Sequence, residues 1–282
     1  MKDPEGRPDV LVLGCGYAGR FVALGARRAG HSVRATVRSA DRARALEAEG
    51  LEVVRSDILD AGVGAHVGEG THVVVAFPPD GETEHRVATA IRGAEAVTFL
   101  STTGVYAELV GKIDATTEVP APSTDRTRRL LAAERMFLEV GATVLRCPGI
   151  YGPDRGLHVR VVRGEHRIPG DGTRCLSRIH VEDLARFVLA ARHTHRHTFV
   201  VGDRSPAPHI EVVSWICETY GVPLPPFVPF ESVHVSLRGD RRVDPSSALA
   251  ALGVELLHES YRTGMAPEAT GLVGSRGRSP LV

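Results

Sequence analysis

The chain has 282 residues, 43% of them hydrophobic and 24% charged, which is enough for one large domain or a domain with an appended lobe. Its 34 basic and 34 acidic residues give a formal net charge of zero, which argues against nucleic acid or an anionic membrane as the partner. No apolar run reaches the ~18 residues of a membrane helix, and the polar start MKDPEGRPD is unlike a signal peptide. The four cysteines are scattered, which fits free thiols in a reducing cytoplasm and no metal site.

The first 150 residues alternate between short apolar runs and amphipathic stretches. The runs at 9–14, 31–38, 51–57, 71–77, 95–101 and 142–147 are predicted strands, and the stretches at 40–50 and about 123–140 are predicted helices, as is the segment after residue 14. This alternation predicts right-handed βαβ units around a parallel sheet that is covered on both faces.

Proline and glycine interrupt the pattern after residue 150, and helices are predicted at about 181–192 and 209–220. We therefore predict an α/β protein with a Rossmann-type, doubly wound parallel sheet and a small C-terminal substrate lobe. Its predicted parts are a dinucleotide-binding domain at 9–150, a mixed segment at 151–265 that returns to the sheet and forms the lobe, and a mobile tail at 266–282.

GCGYAG, residues 14–19, fits Gly-x-Gly-x-x-Gly directly after one strand and at the start of one helix. In such a motif Gly14 permits a tight turn, Gly16 lets the backbone approach a pyrophosphate, and Gly19 allows close helix–strand packing. The free N–H groups of the helix start attract the phosphates. The motif and its position predict a dinucleotide site, with a structural glycine turn as the alternative.

The end of the second predicted strand indicates which dinucleotide is bound. An NAD site usually carries Asp or Glu there, whereas this chain has Arg38, with Arg42 one helical turn later. A guanidinium binds a 2′-phosphate in bidentate fashion, so NADP(H) is favoured over NAD(H). The alternative is that both arginines are solvated. Asp57 ends the third predicted strand and is a candidate for the adenine amino group, or else a turn or cap aspartate.

The segments GCGYAGR, SDILD, LSTTGVYAE, LRCPGIYGP and SRIHVEDLA occur in an order that resembles the extended short-chain dehydrogenases/reductases of the NAD(P)-dependent epimerase/dehydratase family. The resemblance runs over about residues 9 to 265. It implies an oxidoreductase with a small-molecule substrate, and it allows a homodimer. The cofactor-binding residues expected from the motifs and the resemblance are Gly14, Gly16, Tyr17, Ala18, Gly19, Arg38, Arg42, Asp57, Ile58, Phe77, Pro78 and Pro148.

The family's acid/base pair is missing from this chain. The family carries Tyr-x-x-x-Lys on the helix predicted at 122–137, where the lysine lowers the pKa of the phenol. That helix contains neither residue, and Lys112 stands six residues after Tyr106 across a glycine. Alignment on LAAE puts Arg126 and Leu130 in the two positions, and a slip of one puts Asp125 and Arg129 there.

Several residues remain as catalytic or substrate candidates. The resemblance places Thr102 beside the nicotinamide and the substrate, and it makes the loop 146–153 part of the nicotinamide pocket. Arg174 and Arg178 are candidates for an anionic substrate group, with ordinary surface arginines as the alternative. The predicted catalytic residues are Thr102, Tyr106, Asp125 and Arg129, and the predicted substrate residues are Thr103, Tyr151, Arg174 and His180.

The sequence thus predicts a cytoplasmic NADP(H)-binding oxidoreductase without the usual relay. Two alternatives stay open. One is a non-redox enzyme of the same fold, such as an isomerase, cyclase or dehydratase. The other is a regulator that senses NADP(H) without turnover. The alternating histidines at 193, 195 and 197 are expected to be a solvated connector, because no cysteine or carboxylate accompanies them.

Overall fold

The protein is described by a computed structural model that covers residues 6–55, 62–106, 109–233 and 239–272. In chain order the strands are β1 (Val10–Leu13), β2 (Val33–Val37), β3 (Glu52–Arg55), β4 (His72–Val75), β5 (Ala96–Thr102), β6 (Val110–Ile113), β7 (Thr143–Cys147), β8 (Gly149–Tyr151), β9 (Ile168–Pro169), β10 (Cys175–Leu176), β11 (Arg178–His180), β12 (His197–Val200), β13 (Ala207–Pro208), β14 (Phe227–Val228) and β15 (Asp240–Val243). The helices are α1 (Tyr17–Arg28), α2 (Ala40–Ala48), α3 (Thr83–Ala90), α4 (Asp125–Glu139), α5 (Leu157–Val162), α6 (Val181–Ala190), α7 (His209–Tyr220), α8 (Ser246–Leu252), α9 (Tyr261–Gly264) and α10 (Pro267–Thr270).

Seven of the strands form one parallel sheet in the order β12-β7-β5-β4-β1-β2-β3. From β1 the chain moves outward through β2 to β3, then crosses back to β4 and moves outward in the other direction. This is the predicted doubly wound, Rossmann-type sheet, and the prediction is confirmed. Strand β12 follows residue 150, so the later segment returns to the sheet edge.

The central strands of the sheet are buried on both faces, which explains why β1 is apolar at successive positions. In β1 the side chains of Val10 and Val12 pack into one hydrophobic cluster, together with residues of α1 and α6. Leu11 and Leu13 point to the opposite face and pack with residues of α3 and α4. Side chains alternate in direction along a strand, so a strand covered on both faces must be apolar throughout.

The reversal of strand order lies between β1 and β4. In open α/β sheets the crevice outside the carboxyl ends of the strands at such a point is the usual ligand site. The segments that end there are the glycine motif after β1 and the Phe77 loop after β4. The fold therefore places the predicted dinucleotide motif at the position where a parallel sheet binds ligands.

The C-terminal lobe is built from short strands and helices. Strand β8 pairs in parallel with β11, β10 pairs with β13, and β9 pairs with β14. A separate hydrophobic cluster formed by α5, α7 and α9 holds the lobe together, with Tyr151, Val212, Ile216, Tyr220 and Tyr261 among its buried members. These pairings were not predicted, because strands of two or three residues have no recognisable period.

Lys112 lies on a short strand outside the main sheet, where it forms two ion pairs. Strand β6, which was not predicted, pairs in parallel with β15 near the end of the described chain. The Lys112 ammonium lies 2.9 Å from a carboxylate oxygen of Asp244 and 3.3 Å from one of Asp114. Lys112 thus joins two strands, in line with the expectation that it does not replace the family's lysine.

The chain stays folded past residue 265, where the mobile tail was predicted to begin. Helix α10 follows, and the Tyr220 hydroxyl donates to the Met265 carbonyl at 2.7 Å and lies 2.9 Å from the hydroxyl of Thr270. The remainder of the predicted tail, 273–282, lies outside the described residues.

Candidate functional site

The glycine motif has the geometry that a dinucleotide turn requires. Gly14 has φ +77°, and a Cβ there would lie 2.7 Å from the Cβ of Phe77. A Cβ on Gly19 would lie 3.0 Å from a methyl group of Val12, so the helix packs directly on β1. A Cβ on Gly16 would have its nearest neighbour, the Gly14 carbonyl oxygen, 3.9 Å away, which leaves room in front of the turn. The turn thus combines a positive φ at Gly14, open space at Gly16 and close helix–strand packing at Gly19.

The start of α1 offers free backbone donors. Tyr17 and Ala18 are its first residues, and its N-cap, Gly16, supplies no side-chain hydrogen bond. Unsatisfied N–H groups at a helix start, together with the positive end of the dipole, favour a phosphate. The Tyr17 ring lies under the guanidinium of Arg155, 4.9 Å from its carbon to the ring centroid. Tyr17 therefore connects the glycine turn with the loop after β8.

The two arginines proposed for the 2′-phosphate differ in their surroundings. Arg38 is exposed just beyond β2. Arg42 reaches back to the glycine turn, where it donates to the Gly16 carbonyl at 3.0 Å and to the Cys15 carbonyl at 3.4 Å. The structure thus brings one arginine onto the turn and leaves the other beside it. Asp57 and Ile58 lie outside the described residues.

The carboxyl ends of β4, β5 and β7 form the wall next to the turn. Phe77 and Pro78 follow β4, and Thr102 ends β5, where its hydroxyl accepts from the Gly104 N–H at 3.0 Å. Thr102 stands opposite Cys147 in the sheet, and Pro148 follows directly. Thr102 is partly buried and Thr103 is buried. The structure therefore brings Thr102 and Pro148 to the same edge, as the resemblance implies.

Helix α4 does not build a relay from the residues that align with the family's pair. Arg126 is exposed and Leu130 is buried in a hydrophobic cluster. Asp125, in the first turn, is exposed and forms its ion pair with Arg128. Arg129 is exposed as well, with its Cδ 3.7 Å from where a Cβ of Gly81 would be. Asp125 and Arg129 are thus not brought together as a proton carrier and its cation.

A buried polar network lies below this helix, and sequence reasoning missed its central pair. Glu134 accepts from Arg146 at 2.6 Å and from the Ser101 hydroxyl at 2.5 Å. Arg146 also donates to the Tyr106 hydroxyl at 3.0 Å. Tyr106 is buried among apolar side chains, so its phenol serves this network. The available signal was an acidic residue on the apolar stripe of α4, next to Ala133 and in line with Phe137.

Tyr151 and His180 face each other on neighbouring strands of the lobe. Their ring centroids are 5.2 Å apart, and the Tyr151 hydroxyl donates to the Ser260 carbonyl at 3.4 Å. Burial raises the pKa of the Tyr151 phenol, which disfavours its anion. Burial also lowers the pKa of His180 to about 3, and its Nδ1 accepts from the Glu182 N–H at 3.3 Å. His180 is therefore a neutral cap of α6.

His180, Glu182 and His258 bring potential metal ligands within 4.8 Å of one another, a cluster that the sequence did not reveal. The rings of the two histidines have centroids only 3.8 Å apart. Two imidazoles on one zinc ion, with Zn–N near 2.0–2.1 Å, hold their centroids roughly 5 Å apart. The present arrangement is that of stacked rings above a helix cap, and both rings would have to separate to bind one ion.

The two arginines proposed for an anionic substrate group also differ. Arg174 is exposed, and its guanidinium carbon lies 3.9 Å from the centroid of the Phe230 ring. Arg178 is buried, with 5% of its surface exposed, and its Nη1 has no hydrogen-bond partner among the described residues. Of the two, only Arg178 is held inside the lobe, on the strand next to Tyr151.

Comparison with known proteins shows which proteins this chain is similar to. A 3-diazoavenalumate denitrifying reductase from a Streptomyces species is 27% identical over 92% of this chain and 99% of its own length. A conserved protein of unknown function from Silicibacter pomeroyi is 28% identical, with a TM-score of 0.75 over 91% of this chain and 96% of its own. UDP-glucuronic acid 4-epimerase from Bacillus cereus, solved with UDP-glucuronic acid and NAD, is 18% identical, with a TM-score of 0.75 over 93% and 97%. No family model matches the chain.

The relative named a reductase and the fold shared with the epimerase structure agree with the resemblance predicted from the sequence, to the epimerase/dehydratase group of extended short-chain dehydrogenases/reductases. A reductase and an epimerase are represented among them. In the described parts of the chain no helix has the length and apolar character needed to cross a membrane.

Proposed function

We propose that the protein is an NADP(H)-dependent reductase that transfers hydride to a small molecule without a tyrosine–lysine relay. The observation that carries this proposal is the contrast between the two halves of the site. The turn that would hold the pyrophosphate has the open space and close packing that the glycine motif needs, while α4, which would carry the family's proton donor, holds neither a tyrosine nor a lysine.

The choice of NADP(H) is supported by charge at the end of β2. Arg38 is exposed there, Arg42 is fixed on the turn, and the first turn of α2 adds Asp41, whose ion-pair partner is Arg44. Two guanidinium groups without an acidic residue at the end of the strand favour a 2′-phosphate over a 2′-hydroxyl.

The missing proton donor favours certain acceptors over others. Reduction of a carbonyl needs a proton on oxygen, which a positioned phenol usually supplies. Tyr106 and Tyr151 are both buried and hydrogen-bonded to other groups, so neither is presented as such a donor. If the acceptor loses a leaving group as the hydride arrives, no anion forms on it, and no side chain has to donate a proton.

The Streptomyces relative supports this choice, since its name describes the reduction of a diazo compound with loss of nitrogen. In a diazonium ion the hydride forms the new C–H bond, the C–N bond breaks, and its electron pair leaves with N2. The charges balance without a proton, and NADPH becomes NADP+. We therefore propose that this protein accepts substrates of the same kind.

The test is a turnover assay with NADPH that carries deuterium at the transferable position, with benzenediazonium or benzaldehyde as the acceptor. We expect deuterated benzene from the diazonium ion at a rate above that of the enzyme-free reaction, and little deuterated benzyl alcohol. Replacing Tyr106 by Phe should leave diazonium reduction within about twofold in rate if the folded fraction is unchanged, because no phenolic proton is used. Failure to bind NADPH, or faster turnover of the aldehyde, would contradict the proposal.

A further inference from the structure

Arg178 occupies an unusual position for a charged residue. It lies on β11, where Ile179 points into the core of the main sheet while Arg178 and His180 point to the opposite side, toward the lobe. Only 5% of its surface is exposed, and its Nη1 has no hydrogen-bond partner in the described ranges. A buried guanidinium that leaves a donor unpaired is costly, so such a group is unusual unless it serves a ligand.

A buried carboxylate, that of Asp203, lies close to the Arg178 guanidinium. Asp203 is 2% exposed, and its N–H donates to the Arg178 carbonyl at 2.8 Å. Its Oδ1 accepts from the Ser205 N–H, but its Oδ2 has no partner among the described residues. Arg178 and Asp203 therefore each keep an unpaired atom although they are close enough to affect each other's protonation.

The surroundings of this pair are aromatic. The Arg178 guanidinium carbon lies 5.4 Å from the centroid of the Tyr261 ring, and Tyr151 lies on the adjacent strand. His209 is buried nearby, with an Nδ1 that also lacks a partner within the described chain. Flat apolar walls with a few unpaired polar atoms are typical of a small-molecule site.

The backbone connects this cluster directly to the edge of the sheet. Thr102 stands opposite Cys147 in the β5–β7 pair, and Gly149, two residues after Cys147, stands opposite Arg178 in the β8–β11 pair. Two residues of extended chain span roughly 7 Å. Each of the two strand pairings adds roughly 5 Å, so the Cα atoms of Thr102 and Arg178 lie at most roughly 17 Å apart. An aromatic acid held at the end of the long Arg178 side chain therefore extends toward Thr102.

We propose that Arg178 binds a carboxylate of the substrate, and that Asp203 is an internal counter-ion which the substrate carboxylate replaces. This inference rests on the proposed function and specifies its substrate class as small aromatic monoacids. A guanidinium binds a carboxylate through two parallel hydrogen bonds, which would satisfy the unpaired Nη1. Three carboxylates lie near Arg178 or near the Tyr261 ring beside it, those of Asp203, Asp183 and Glu211. Their negative charges would repel a diphosphate, so the site favours a ligand with a single negative charge.

The test compares acids with their neutral amides in the full-length protein saturated with NADP+. The probes are benzoate, phenylacetate and cinnamate, each paired with its primary amide, and binding is measured by calorimetry. We expect the wild type to prefer the acid of at least one pair, and Arg178→Met to lower its affinity for that acid by about tenfold or more, as loss of a charge-assisted pair does. Its affinity for the amide should change little.

Variants at other positions separate a binding role from a structural one. Asp203→Asn should strengthen acid binding, because it removes the competing carboxylate, whereas a purely structural role predicts loss in both variants. Arg186→Met changes an exposed arginine on α6 and is the matched control. If Arg178→Met does not fold, Arg178→Lys and Asp203→Asn carry the test, since lysine keeps the charge but not the paired geometry.

Three results would overturn the inference. They are equal affinity for acid and amide in all pairs, loss of acid binding with Arg174→Met but not with Arg178→Met, or binding of UDP in preference to the acids. NADPH binding and diazonium turnover are measured separately in the same variants. The failure of the carboxylate site is then distinguishable from the failure of the proposed reductase activity.

Discussion

The guanidinium of Arg42 lies on the turn between β1 and α1, where it donates to the Gly16 carbonyl at 3.0 Å. Arg42 belongs to α2, and Ser39 caps that helix, since its hydroxyl accepts from the Arg42 N–H at 3.4 Å. The start of α2 is thereby fixed relative to the glycine turn. Arg38, one residue before this cap, is exposed and is the cation available beside it.

Replacement of Arg38 by alanine should weaken NADPH binding and leave NADH binding nearly unchanged. A charged group on a phosphate contributes about 1.5–3 kcal/mol, so the dissociation constant for NADPH should rise roughly 10- to 100-fold. Nicotinamide fluorescence during titration measures both constants. Arg44→Ala is the matched control, because Arg44 is an exposed arginine on α2, the helix that follows Arg38, and its ion-pair partner is Asp41. Equal losses for NADPH and NADH would show that Arg38 does not contact a 2′-phosphate.

Replacement of Gly14 by alanine should abolish dinucleotide binding and lower stability. The φ of +77° costs an alanine about 1–2 kcal/mol, and the added Cβ would lie 2.7 Å from that of Phe77, which adds about 1–3 kcal/mol of overpacking. Gly30→Ala is the matched control. Its φ of +91° is equally unfavourable, but nothing lies within 4 Å of the new methyl group. Urea unfolding should therefore show a larger loss for Gly14→Ala, and similar losses would argue against the close contact.

The features that could be predicted from the sequence are those set by local pattern. The strands of the sheet are apolar runs between helices, and the glycines of the turn have fixed spacing, so neither depends on a tertiary contact for its prediction. The relay positions on α4 were uncertain by one residue. A helix repeats every 3.6 residues, so a slip of one changes which side chains face the site. In the structure Asp125 forms an ion pair with Arg128, whereas the shifted alignment pairs it with Arg129.

The unpredicted features depend on long-range packing of charged residues. Glu134 and Arg146 lie on different elements and meet only when α4 packs on β7. Arg178 and Asp203 are buried against expectation, since arginine and aspartate are mostly exposed in proteins. No local sequence pattern predicts that a charged residue will be buried, so the pair formed by Arg178 and Asp203 could not be predicted from the sequence.

Replacement of Glu134 by alanine should destabilise the protein strongly. Glu134 is 3% exposed and is the carboxylate partner of the Arg146 guanidinium. Removing it leaves a buried cation uncompensated, which costs about 3–5 kcal/mol. The free energy of unfolding in urea measures the loss. Glu139→Ala, on the exposed face of the same helix, should change stability by no more than about 0.5 kcal/mol. A loss below 1 kcal/mol for Glu134→Ala would mean that water or another group takes over the charge of Arg146.

The stability of the protein should fall as the pH drops below about 6.5, because buried histidines must become charged. Burial lowers the pKa of His72, His166 and His180 to about 3 and that of His158 and His209 to about 4, from the ordinary value of 6.5. The unfolded chain therefore binds more protons in this range, and each such histidine contributes a slope of about 1.4 kcal/mol per pH unit. Asp203 acts in the opposite direction, since burial raises its pKa to about 6.

Urea unfolding at intervals between pH 7.5 and pH 5 measures this slope, with the pH values chosen as roughly one unit on either side of the ordinary histidine pKa. His72 offers a single-site check, since it is fully buried and its Nε2 lies 2.8 Å from the Thr98 hydroxyl, a contact that glutamine can retain. His72→Gln should reduce the slope by about one proton's share, whereas His85→Gln, at an exposed position on α3, should not. A flat profile over this range in the wild type would mean that the imidazoles gain charge-stabilising partners in the folded protein.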